Sequence, residues 1–282
     1  METIFIALSN KSGIACASDR DHTIYQLSKK LPLALAVSPS SPIPWNRIIE
    51  QYKLTGGPEE KKEFSDYATH FLSFLSTIPV DKSWKINSND SSKLLFMGYG
   101  KDDLFPCIYE VSIIVKTDKI IYEERISNLK KIAHGHTADI SIIGNVNGVS
   151  TLIWGANNDT RLTIPAYLSW HFETYKNRVI EKFKDSEFAD YVNKKLELFD
   201  DLEYAFDHTD FIKNDMELKV LSGIDSFSIE DLVTASETLV NAEVRLKHLF
   251  SGGKEDLHVS KEIAVITRTE GVTWIKHSLF AL

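Results

Sequence analysis

Thr3-Ile4-Phe5-Ile6-Ala7-Leu8 and Gly13-Ile14-Ala15-Cys16-Ala17-Ser18-Asp19 decide the fold. They read as two short apolar strands joined by the polar turn Ser9-Asn10-Lys11-Ser12, and the second ends on a carboxylate. Working outward, Thr23-Ile24-Tyr25-Gln26-Leu27 and Leu33-Ala34-Leu35-Ala36-Val37 read as another strand pair about Ser28-Lys29-Lys30. Pro39, Pro42 and Pro44 exclude both helix interior and central strand from the segment that follows. A helix comes next, with Trp45, Ile48, Ile49 and Tyr52 on one face, ended by Gly56-Gly57-Pro58. In the helix after it, Phe64, Tyr67, Ala68, Phe71, Leu72 and Leu75 form a stripe at helical spacing, the pattern of packing against a sheet.

The remainder alternates in blocks. Residues 81–92 are polar and loop-like, 94–100 read as a buried strand, and 105–115 with 120–126 as a hairpin about Lys116-Thr117-Asp118-Lys119. Residues 140–144 and 150–155 read as two more short strands, with Gly144-Asn145-Val146-Asn147-Gly148 as a turn. A charged helical pattern fills about 163–206. Ser228-Ile229-Glu230-Asp231 resembles a capping box shifted by one residue and opens a helix to about Leu249, with Leu232, Val233, Leu239, Val240 and Leu246 as its apolar side. Ile263-Ala264-Val265-Ile266 and Val272-Thr273-Trp274-Ile275 close on a hairpin about Arg268-Thr269-Glu270-Gly271. Clustered hairpins separated by helix pairs favour antiparallel sheets covered by helices over a βαβ array.

Bulk properties narrow the function classes. A chain of 282 residues, 43% hydrophobic and 26% charged, can build one large core. Its net charge of −8 and pI of about 5.6 argue against nucleic acid or an anionic membrane surface as partner. No apolar run reaches the roughly 20 residues that span a bilayer, and no basic-then-apolar signal opens the chain, so a cytoplasmic protein is expected. The two cysteines, Cys16 and Cys107, read as free thiols.

The ordered set of Thr3-Ile4-Phe5-Ile6, Gly13 to Asp19, Ile24-Tyr25-Gln26-Leu27-Ser28-Lys29-Lys30, Ile43-Pro44-Trp45, Gly98-Tyr99-Gly100, Phe105-Pro106, Ser251-Gly252-Gly253 and Trp274-Ile275-Lys276 resembles the proteasome β-subunit branch of the N-terminal-nucleophile (Ntn) hydrolases, and in particular a set of proteasome-like bacterial proteins. The resemblance covers both ends and little of residues 155–225. It implies an α+β fold, a four-layer αββα sandwich of two antiparallel sheets flanked by helices. It also implies one Ntn domain over 1–282 with a divergent helical region at about 155–225. Related members build rings by packing their helical layers, so a homo-oligomer is expected.

The family mechanism uses a chain-terminal Thr whose hydroxyl attacks an amide carbonyl and whose own α-amine is the base. A Lys beside the hydroxyl lowers its pKa, an Asp balances that Lys, and a glycine N–H forms the oxyanion hole. A second Asp and a Ser position the amine. Carried over, the resemblance puts Thr3 in the nucleophile's place, Asp19 in the acid's, Thr23 in the lysine's, Ser38 before Pro39 in the oxyanion loop, Ser251 in the positioning serine's and His248 in the second acid's.

Each residue also has an ordinary reading. Thr3 is equally a β-branched strand residue, Asp19 a turn former, and His248 a dipole-favoured residue of a helix C-terminus. Met1-Glu2 precede Thr3, and Glu2 is not the small residue that removal of an initiator Met requires, so Met1 is expected to stay. Thr23 carries no charge, and Lys29 and Lys30 fall roughly 20 Å along the strand. The expectation is a degenerate threonine-peptidase site in a protein acting by assembly or binding. The alternative is an active N-terminal-threonine peptidase or amidohydrolase using Thr3 after processing. A further alternative, Cys16 or Ser18 as nucleophile, is weakened by the strand alternation that buries Cys16.

Neither cofactor nor metal is implied by the resemblance. His134-Gly135-His136 with Asp139 reads as either a metal cluster or a polar loop. The acidic stretch 182–210, with Phe188, Tyr191, Phe199, Tyr204 and Phe206 interleaved, is either a solvated face or a helix that binds a protein partner.

Overall fold

The computed structural model describes residues 3–38, 43–56, 63–79, 84, 91–115, 120–123, 129–131, 138–144, 146–154, 174, 177–178, 181, 218–250 and 260–277. The chain divides into two compact units, Met1–Val146 with Leu221–Leu282, and Asn147–Val220.

The first unit carries two antiparallel sheets. In one, β1 (Phe5–Asn10) lies between β2 (Gly13–Ser18) and β9 (Ala138–Ile143). Beyond β2 come β10 (Glu262–Thr267) and β11 (Gly271–Lys276). The other sheet runs β3 (Ile24–Gln26), β4 (Leu33–Val37), β5 (Ser91–Gly98), β6 (Cys107–Val115) and β7 (Ile120–Glu123), and β8 (Leu129–Lys131) pairs with the start of β6.

Alternation along the strands assigns the faces. Phe5 and Ala7 of β1, Ile14 and Cys16 of β2, and Ala264 and Ile266 of β10 share a core with Ile24, Ala34, Ala36, Leu95 and Met97, so the sheets pack face to face. The opposite side of the second sheet, through Leu33, Leu35, Leu94 and Phe96, packs on α1 (Trp45–Leu54) and α2 (Phe64–Thr77). The apolar stripes expected of both helices are buried there. Tyr52, Phe71 and Phe96 stack edge-on across this layer at 4.9 and 5.6 Å.

The helix α4 (Ile229–Phe250) packs on β1, β2 and β10, which explains why β1 and β2 are buried at every position. Its sheet-facing stripe is Leu232, Ser236, Val240, Glu243 and Val244, narrower than the apolar side read from sequence, with Val233, Leu239 and Leu246 only half-buried. Its N-terminus realises the capping box: the Asp231 N–H donates to Ser228 Oγ at 3.2 Å and the Ser228 N–H to Asp231 Oδ2 at 3.1 Å.

The second unit carries α3 (Asn147–Trp154), which corrects the strand expected at 150–155. A short apolar run does not separate helix from strand. Val149, Ser150 and Ile153 are buried, and their spacing is helical. Two smaller differences concern β6, which starts at Cys107 and not at 105, and β7, which is described only to Glu123. His134 and His136, and nearly all of 155–217 including the aromatic residues of the acidic stretch, lie outside the described residues. Among the described residues no helix is long and apolar enough to cross a membrane.

Candidate functional site

One end of the two-sheet core gathers polar side chains that strand alternation points inward. Phe5, Ser18 and Glu262 form a row across three strands, Phe5 pairing with Ser18 and Ser18 with Glu262. Ser18 continues the inward row of Ile14 and Cys16, and Glu262 that of Ala264 and Ile266. Thr3 leads into β1 in step with Phe5 and Ala7.

Thr3 is buried at 2% exposure, and its hydroxyl makes no hydrogen bond among the described residues. Its backbone is seated tightly. A Cβ added at Gly144, φ +100, would collide with the Thr3 carbonyl oxygen, so only glycine lets the chain pass there.

Asp19 holds this segment from the side. Its Oδ1 accepts the Ile4 N–H at 2.7 Å, and its own N–H donates to the Ile4 carbonyl at 3.1 Å. Burial pushes its carboxyl above the ordinary aspartate range. The Ile4 N–H and the charges of Arg20 and Lys247 pull it partly back. The Arg20 Nε lies 3.9 Å from Asp19 Oδ2, and Lys247 belongs to the last turn of α4.

Thr23 is fully buried and committed. Its hydroxyl accepts from Ser18 Oγ at 2.9 Å and donates to the Arg20 carbonyl at 3.2 Å. Its carbonyl accepts the Val37 N–H at 2.9 Å, which brings the half-buried Ser38 to the same end. Thr3, Asp19, Thr23 and Ser38 therefore lie together. Ser251 falls outside the described residues, as does Pro39. His248 sits half-buried in the last turn of α4.

Glu262 was not anticipated. Its side chain is 1% exposed, and its carboxylate accepts the N–H groups of His22 at 2.9 Å, Thr23 at 3.0 Å and Ile24 at 3.0 Å. His277 Nδ1 approaches Oε1 at 3.4 Å. Neighbouring bonds set the strand: the Lys261 N–H donates to the Ser18 carbonyl, Lys261 Nζ reaches Asp21 Oδ2 at 3.3 Å, and Ser260 bonds Asn241 and Glu237 of α4. Burial raises the Glu262 carboxyl, against the pull of the three N–H groups and of His277. A signal existed in the sequence: Glu262 keeps step with Ala264 and Ile266, an acid on the inward row of an apolar strand.

The other nucleophile candidates are occupied. The Cys16 thiol is fully buried, lies 3.5 Å from the Ala264 carbonyl, and is pushed up to about 12 by burial, so it stays protonated. The Ser18 hydroxyl is spent on Thr23 and accepts the Arg20 N–H. Among the described residues no group of three or more His, Cys, Asp or Glu is placed to hold a metal ion. Thus the cluster contains two buried carboxylates and several hydroxyls, with neither a base nor a cation bonded to the Thr3 hydroxyl among the described residues. No protein-family model matches the sequence, and no curated protein matches it.

Proposed function

We propose that the chain is a proteasome-like Ntn-fold protein whose threonine-peptidase site is degenerate and which acts by assembly or binding. The layer order supports this reading: helix pair, sheet, sheet, helix, with β1 and β2 at the centre of one sheet and α1 and α2 inserted between β4 and β5. That order is compatible with the αββα arrangement the resemblance implies.

The carrying observation is the lysine's place. It holds Thr23, fully buried, with its N–H, hydroxyl and carbonyl all engaged. A hydroxyl cannot lower the pKa of a neighbouring hydroxyl by charge, and the Thr3 hydroxyl has no base bonded to it among the described residues. The test is peptide and acyl-amide hydrolysis by the full-length protein, with intact mass and native mass measured on the same sample. The expected results are no turnover, Met1-Glu2 retained, and a homo-oligomer that persists in Thr3→Ala. Turnover that Thr3→Ala abolishes, in protein whose mass begins at Thr3, would instead establish the peptidase.

A further inference from the structure

The turn before β3 has the shape of an anion cradle. His22 adopts φ +59, the only positive φ at a non-glycine residue among those described. A left-handed residue inside a turn makes successive N–H groups converge instead of alternate, and such concavities bind anions. Here the N–H groups of His22, Thr23 and Ile24 converge on one carboxylate at 2.9–3.0 Å, His22 on Oε1 of Glu262 and Thr23 and Ile24 on Oε2. Donors and acceptor are separated by 238 to 240 residues, so the carboxylate is brought to the turn by the fold and not by local sequence.

The counter-charge is also built. β10 and β11 shift register between Ile263 and Ala264, and such an irregularity re-aims the residues beyond it. His277 follows directly, its ring 4.1 Å from that of Trp274 and tilted by 32°, with Nδ1 3.4 Å from Glu262 Oε1. The indole holds the imidazole where it faces the carboxylate.

We propose that residues 22–24 form a carboxylate-binding nest, that Glu262 fills it as a tethered ligand, and that His277 is the counter-ion. The ligand class is a small carboxylate, and in the native chain the carboxylate is the chain's own. The nest thereby fastens β10 of one sheet to the entrance of β3 in the other and shuts that end of the two-sheet core. The nest goes beyond the loss of peptidase chemistry and does not depend on it.

Burial makes Cys16 of β2 and Tyr25 of β3 hold their protons more tightly, and the negative charge of Glu262 adds to it. Asp21 of the turn is paired with Lys261, and Glu237 of α4 accepts from Ser260. Glu243 of α4 is buried on the stripe that faces β10's sheet. Of these groups, His277 is the one whose positive charge acts on Glu262.

The test removes the tether and offers the ligand back. Glu262→Ala deletes one methylene and the carboxylate, two carbons in all, which acetate approximates. In the full chain, Glu262→Ala is expected to melt about 5 °C or more below the parent. Acetate at about 100 mM, compared with chloride at equal ionic strength, is expected to raise the melting temperature of the variant by about 2–4 °C and leave the parent unmoved. Acetate acting no better than chloride on the variant, or equally on the parent, overturns the nest.

A second measurement uses the unaltered protein, so a variant that fails to fold leaves the proposal open to disproof. The amide proton shifts of His22, Thr23 and Ile24 are expected to titrate together, with one midpoint above the ordinary glutamate range. Three unrelated midpoints, or no titration, overturn the nest as well. His277→Gln is expected to raise that shared midpoint, because losing the imidazole removes the interaction that helps the carboxylate ionise. An unmoved midpoint overturns the role of His277. None of these readouts responds to peptide hydrolysis, so failure here and failure of the functional proposal are separately visible.

Discussion

Asp19 and Glu262 are both buried carboxylates at the same end of one sheet, and they are satisfied in opposite ways. Asp19 accepts one N–H, from Ile4, and is offset by the nearby charges of Arg20 and Lys247. Glu262 accepts three N–H groups and has a single histidine for charge balance. Asp19 fixes the start of β1 within its own sheet, while Glu262 crosses to the other sheet. A carboxylate balanced by charge depends on side chains that salt can screen. One balanced by backbone N–H groups depends on a turn keeping its shape.

Breaking each carboxylate separately sharpens the difference. Glu262→Ala leaves two buried N–H groups and one partly buried one unpaired and is expected to cost about 3–5 kcal/mol in urea unfolding. A loss under about 1 kcal/mol would mean that water satisfies the turn unaided. Asp19→Ala strands one N–H and is expected to cost about 1–3 kcal/mol by the same measurement. Equal losses in the two variants would erase the contrast.

The pH dependence comes next in size. Both carboxyls are raised in the folded state, so the folded protein binds their protons more tightly than the unfolded chain does. Their contribution is fully present below the unfolded values and is lost as pH rises through the folded ones. Urea midpoints are therefore expected to fall as pH climbs from the ordinary carboxyl range toward neutrality, less steeply in Asp19→Asn. A profile for that variant parallel to the parent's would show that Asp19 does not titrate differently on folding.

The smallest effect is expected beside them, at Thr3. Its hydroxyl is buried without a bond among the described residues, so the isosteric Thr3→Val should be neutral or stabilising by up to about 1 kcal/mol. A clear destabilisation would reveal a partner for that hydroxyl.

The apolar scaffold was legible because local spacing carries it. The stripes Trp45–Ile48–Ile49–Tyr52 and Phe64–Tyr67–Phe71–Leu75 are buried as read, and the hairpins of β1 with β2 and β10 with β11 form where turn residues interrupt apolar runs. The run 150–155 misled because six positions hold too few turns to show a period, and Ser150 and Thr151 suit either state. The gathering of Thr3, Asp19 and Thr23 was an expectation of the resemblance, and the β1–β2 pairing of Phe5 with Ser18 sets the first two at one end of the sheet. Glu262 was not expected, because its partners are backbone N–H groups, which any sequence supplies, and because pairing β2 with β10 joins segments far apart in the chain. Lys247 was missed for a related reason: its charge reaches Asp19 only once segments far apart in the chain are packed together.

The pairing of β2 with β10 has a consequence for how the protein is made. The β3–β8 sheet is complete within residues 24–131, and α1 and α2 can cover it as soon as they emerge from the ribosome. The other sheet cannot close then, since β2 must wait for a strand that begins at Glu262. Until the last strands arrive the edge of β2 stays unpaired, whereas β1 gains its partner β9 earlier in the chain. Such an edge is a template for pairing with other chains. Synthesis rate and chaperone supply over that interval, more than final stability, should set the soluble yield.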